Sequence, residues 1–181
     1  FKGASRTIPP DQFLRQLIVQ DFICINTPVF RTRLLDEIGY FDENLKQAAD
    51  WDYWLRLFGK YPSFFINEEL SCFRIHAESQ TMAHCKKPDD YIHQLNEVLN
   101  RFSGRLNSEN IQDKRAFKAA KFSNTVNIDL GQAHHQKSIK PFFHLLGEAL
   151  KLSPQTLSIY LRDSRIIERL GARIKLRKSL R

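Results

Sequence analysis

Long apolar runs are missing from this chain of 181 residues. No segment approaches the eighteen or so consecutive apolar residues of a membrane-spanning helix, and no signal peptide opens the chain, so it is expected to stay on one side of a membrane, in the cytoplasm. Cysteine occurs only three times, an odd number without framework spacing, which argues against a disulfide scaffold and for free thiols in a reducing compartment. Cys24 and Cys72 read as buried strand residues. Glycine is sparse as well, and none of the seven glycines builds a glycine-rich phosphate loop. No Asp-x-Asp triplet precedes Gly39; the one such triplet is Asp50, Trp51, Asp52.

With 42% hydrophobic and 27% charged residues, the chain can bury a core of about one and a half domains. Charge is distributed unevenly. Residues 1–85 hold nine Lys/Arg against eleven Asp/Glu, whereas 86–181 hold nineteen against nine, for net charges of −2 and +10. The change falls at Lys86, Lys87 and Pro88, which suggests a domain boundary there.

The densest patterning lies between Val29 and Ser79. Thr32 to Ile38 places Leu34, Leu35 and Ile38 on one helical face, and Gly39 follows where a left-handed C-cap is usual. Phe41, Asp42, Glu43 and Asn44 form a polar turn, and a second helix opens near Asp50, its expected N-cap. Trp51, Trp54, Leu55 and Phe58 make an amphipathic stripe expected to bury against a sheet. Ser63–Ile66 and Leu70–Ile75 read as short strands, with His76 at the exit of the second.

These residues resemble the C-terminal half of the catalytic domain of family 2 glycosyltransferases, which have the GT-A fold. In that family an Arg, a short helix, Gly-x-Phe-Asp-Glu, a Glu-Asp before a Trp-Leu-Arg helix, and a strand ending Arg-x-His recur in this order. Here they correspond to Arg31 or Arg33, Gly39, Phe41, Asp42, Glu43, Asp50, Trp54, Leu55, Arg56, Arg74 and His76. The resemblance covers about residues 20–82, and Ala49 stands where the family usually has Glu. It implies an α/β fold: residues 1–85 as the C-terminal half of a Rossmann-like GT-A domain whose nucleotide-binding half lies outside this chain, followed by an all-α region over 86–181. The chain is therefore expected to be the C-terminal piece of a longer enzyme and inactive alone.

The implied chemistry is transfer of a sugar from a nucleotide-diphosphate donor to a saccharide or lipid-linked acceptor hydroxyl with inversion, in polysaccharide or glycoconjugate synthesis. Asp50 would be the general base, against the plainer reading of a helix cap. Gly39, Asp42, Trp51 and Arg74 would line the substrate and acceptor site, though Arg74 could equally pair with Glu68 or Glu69. His76 would hold a divalent metal, Mn²⁺ or Mg²⁺, or else be a hydrogen-bonded surface residue. A zinc site from Cys72, His76, His84 and Cys85 is disfavoured because the adjacent His84 and Cys85 are badly aimed.

Beyond residue 85 the spacing predicts helices over Asp89–Phe102, Ile111–His135, Ser138–Leu150 and Pro154–Leu176. Thr125 to Pro154 looks like a single helical hairpin of tetratricopeptide type. The last helix interleaves Leu161, Ile166, Ile167, Leu170, Ile174 and Leu176 with Arg162, Arg165, Arg169, Arg173, Lys175, Arg177 and Lys178. That basic amphipathic pattern fits a docked helix with a solvated face, peripheral contact with an anionic membrane at its inner face, or a nucleic-acid patch; specific nucleic-acid binding is not expected. The alternative to a transferase is a non-catalytic helical adaptor or membrane-surface module.

Overall fold

The computed structural model describes residues 4–72, 88–136 and 139–171. In chain order the elements are β1 (Arg6–Ile8), α1 (Pro10–Leu17), α2 (Leu34–Ile38), α3 (Ala49–Phe58), β2 (Ser63–Phe65), α4 (Pro88–Ser103), α5 (Ile111–Gln136), α6 (Lys140–Leu150) and α7 (Pro154–Asp163). The expected Rossmann-like α/β fold is overturned. The described residues are mostly helical, and their one sheet is the antiparallel pair β1–β2, in register Arg6 with Phe65 and Ile8 with Ser63.

The physical reason lies in strand length. A parallel sheet needs near-continuous apolar strands joined by crossovers, buried on both faces. Here the two strands have three residues each, the exposed Phe64 points away from the core, and residues 70–72 form no strand. Cys24 and Cys72 are accordingly exposed, correcting their assignment to buried strands.

The stripe on α3 is present, but it buries against helices instead of a sheet. α3 packs on α1 and α4, α1 also touches α5, and α5 carries α4, α6 and α7 on its flanks. Trp54, Leu55, Leu17, Ile18, Val98 and Ala119 belong to one buried cluster that draws on both sides of residue 85. Aromatic rings fill the space around α3: Phe41 stacks on Tyr53 with centroids 4.3 Å apart, Trp54 stacks on Phe58 at 5.7 Å, and Phe13 lies 4.7 Å from Phe58. Gly59 ends α3 where a Cβ would come within 2.6 Å of the Leu55 carbonyl oxygen, too close for any side chain.

The helix boundaries follow local chemistry. Pro10 opens α1 and Pro154 opens α7, where the missing N–H costs nothing, and the Ser153 hydroxyl caps α7 by accepting from the Thr156 N–H. Asn110 does the same for α5, accepting from the N–H groups of Gln112 and Asp113. The single long helix expected over Pro154–Leu176 is broken instead: α7 stops at Asp163, and Arg165 has φ of 51° before helix resumes at Ile166. Arg165 compensates by lying over the Phe22 ring, 4.7 Å from its centroid. No helix of the described residues is long and apolar enough to cross a membrane.

Candidate functional site

The first turn of α3 sets the geometry. The helix begins two residues earlier than expected, with Ala48 at the cap and no side-chain cap bond, so Asp50 lies inside the first turn and is not the N-cap. Its Oδ1 accepts the Trp51 N–H at 2.9 Å. The carboxylate is half-buried, and desolvation raises its pKa above the ordinary range. The helix N-terminus and that backbone bond oppose the shift.

A second carboxylate shares this site. Asp21, in the segment that leaves α1, accepts the Ile23 N–H at 3.0 Å. Burial, and then the charge of Asp50, push its pKa up to about 7. Cys24, exposed as a residue, feels both carboxylates, and partial desolvation of its thiol together with their charge raises its pKa. What fixes the two segments together is Trp51, which is buried and donates its indole N–H to the Leu17 carbonyl at 2.8 Å. Trp51 is therefore placed in the core as a strut between α1 and α3.

Gly39 and Asp42 lie on the other side of α3. Gly39 follows α2 with a positive φ of 81°, but its ψ of −166° lies outside the left-handed cap expected there, and it donates its N–H to the Leu35 carbonyl. Arg56 clamps this turn: Nη1 donates to the Ile38 carbonyl at 2.5 Å, Nη2 to the Tyr40 carbonyl at 2.8 Å, and Nε to Asp52 Oδ2 at 2.8 Å. Arg101 from α4 reaches across to Asp42 at 2.8 Å and to Asp52 at 3.4 Å. The Asn44 N–H and Arg101 hold Asp42 below the usual carboxylate range. Together Gly39, Tyr40, Asp42, Asp52, Arg56, Arg101, Phe102 and Arg105 line a cavity of about 340 Å³.

The structure thus brings Gly39 and Asp42 together and sets Asp50 apart from them with Asp21. Arg74 and His76 lie outside the described residues, as do His84 and Cys85 of the zinc alternative. Among the described residues no group of three or more His, Cys, Asp or Glu is placed to hold a metal ion. Asp21, Arg101 and Arg105 were not singled out from sequence. Asp21 stands alone between Gln20 and Phe22 with no local motif, and beyond the charge boundary Arg101 lies on a helix that looks like an ordinary solvated one, with Arg105 in the turn just after it.

Comparison with known protein families, with curated proteins and with solved structures finds no match, so the chemistry of the site rests on its own residues.

Proposed function

We propose that this chain supplies the acceptor-side base of an inverting sugar transferase, with Asp50 as that base. The observation that carries the reading is the half-buried place of Asp50, where desolvation raises its carboxyl above the ordinary value, with Asp21 near enough to feel its charge. A carboxylate whose desolvation raises its proton affinity is the better fitted to take a proton from an acceptor hydroxyl. In the reaction, the acceptor oxygen forms its bond to the anomeric carbon as Asp50 takes the hydroxyl proton, and the bond to the diphosphate breaks with its electron pair. Asp21, sharing the charge of the site, would tune that proton affinity. The order of Gly39, Phe41-Asp42-Glu43, Asp50 and Trp54-Leu55-Arg56 supports the same reading.

The donor would be a nucleotide-diphosphate sugar bound outside these residues, and the acceptor a saccharide or a lipid-linked one at the cytoplasmic membrane face. A divalent metal held in part by His76 remains part of the proposal, with no step of the proton transfer running through it.

The test is transfer from a panel of nucleotide-diphosphate sugars to saccharide acceptors by the protein that carries this chain. Asp50→Asn is expected to lower turnover by about 10²–10⁴-fold while the fold is kept. Unchanged turnover in that variant would sink the reading and favour the second one, a helical adaptor, which the mostly helical architecture supports.

A further inference from the structure

The chain changes course at a single residue after α7. The Ser164 N–H closes α7 on the Tyr160 carbonyl at 2.9 Å, and the buried Ser164 Oγ accepts the Ile166 N–H at 3.3 Å to start the next helical stretch, 166–171. Arg165 joins the two with φ of 51°, in the left-handed region that an L side chain rarely adopts. Such a conformation persists where the surroundings hold it, and here it sets which face of the new stretch points inward. Ile167 and Leu170 are 71% and 43% exposed, whereas Arg165 and Arg169 are half-buried.

The two inward arginines stand one turn apart, the Arg169 N–H donating to the Arg165 carbonyl at 3.0 Å. Both reach the segment that leaves α1. The Arg165 guanidinium lies over the Phe22 ring, and Arg169 donates from Nη1 to Gln20 Oε1 at 2.9 Å and from Nη2 to Asn127 Oδ1 at 2.9 Å. Gln20 is also held from α5, where Ser123 and the Asn127 amide donate to its Oε1, and its own Nε2 donates to the Asp21 carbonyl at 3.3 Å. The residues gripped are therefore the two that flank Asp21. Among the described residues, Asp50 of α3 and Cys24 of its own segment are the titratable groups that interact with the Asp21 charge, and α5 contributes the neutral Ser123 and Asn127 next to it.

We propose that Arg165 and Arg169 are positioning residues for Asp21: acting through Phe22 and Gln20, they grip the chain on either side of this carboxylate and keep it half-buried within reach of the charge of Asp50. The effect on turnover rests on the reading of Asp50 as the base; the hold on Asp21 does not.

The experiment follows the Asp21 carboxyl carbon by NMR through a pH titration of the full chain, alongside Arg169→Ala and Arg165→Gly, the second of which suits the positive φ and removes only the side chain. In both variants the midpoint is expected to fall from about 7 toward the ordinary carboxylate value by about one pH unit or more, as the loosened segment lets water reach the carboxyl. The sign is diagnostic, because removing a nearby positive charge without moving the segment would raise the midpoint instead. Amide exchange at Ile23, whose N–H is accepted by Asp21, is expected to quicken about tenfold while exchange within α3 keeps its parent rate. Arg169→Lys retains a charge and a donor for Gln20 and is expected to recover part of the parent midpoint. A midpoint that stays or rises in variants with parent-like circular dichroism overturns the proposal, as does an Ile23 amide that exchanges at the parent rate. Should Arg169→Ala fail to fold, Arg165→Gly and Phe22→Leu leave the hydrogen bonds of Gln20 in place and carry the same comparison. If Asp50→Asn leaves turnover unchanged, the catalytic reading falls and the Asp21 titration still decides this one.

Discussion

Asp21 is the residue whose environment has the clearest thermodynamic consequence. Its folded-state pKa of about 7 stands well above the ordinary carboxylate value, so the folded chain holds this proton more tightly than the unfolded chain. Between about pH 4 and pH 7 the native state binds more protons, and stability falls as pH rises through that window. Asp21→Asn keeps an acceptor for the Ile23 N–H and removes the charge, so it should raise the melting temperature by roughly 2–4 °C at pH 8 and leave it unchanged at pH 4. Calorimetry at the two pH values checks this. Asp50→Asn should in turn lower the pKa of Asp21, visible in a carboxyl-carbon NMR titration, because one of the two causes of the shift disappears. On the opposite side of α3, Asp52 is buried and receives both Arg56 and Arg101. Asp52→Ala should cost about 2 kcal/mol in urea denaturation, since charge-assisted bonds are worth about 1.5–3 kcal/mol each and part of this pair reaches solvent. Tyr53 behaves differently: its hydroxyl is buried without a hydrogen-bond partner among the described residues, so Tyr53→Phe should be neutral or stabilising by up to about 1 kcal/mol.

At the level of elements, periodicity carries most of what sequence reading could recover. α4 and α5 match the expected Asp89–Phe102 and Ile111–His135 to within a residue or so, and α2 ends at the glycine that its pattern indicates. The stripe of Trp51, Trp54, Leu55 and Phe58 was equally plain, yet its partner was not: an amphipathic face reports that it will be buried and says nothing about whether a sheet or a helix covers it. The break after α7 was hidden for a related reason. Apolar spacing continues through Leu161, Ile166 and Leu170, while the left-handed turn falls on Arg165, a residue that gives no local warning of positive φ. Within the candidate site, Gly39, Asp42 and Asp50 could be marked by their motif, whereas Asp21 and Arg101 arrive from distant parts of the chain and only folding reveals them. Trp54 gathers Phe30, Phe41, Tyr53 and Phe58 around it, so Trp54→Ala should cost about 3–5 kcal/mol, measured from urea midpoints, and loosen α3 against α1.

Across the whole molecule, the charge boundary at residue 85 does not divide the packing. Gln20 Oε1 accepts from Ser123 at 3.2 Å, Asn127 at 3.0 Å and Arg169 at 2.9 Å, and Arg15 Nε reaches Asp113 Oδ1 at 2.5 Å. The backbone N–H of Gln47 donates to Gln94 Oε1 at 2.8 Å. Each of these bonds joins residues of the first half to residues of the second, and the buried cluster runs between them. If the chain is cleaved near Lys86, the two pieces are therefore expected to behave as complementing halves of a split protein: each alone lacking a cooperative melt, and the mixture regaining one as the two pieces find each other.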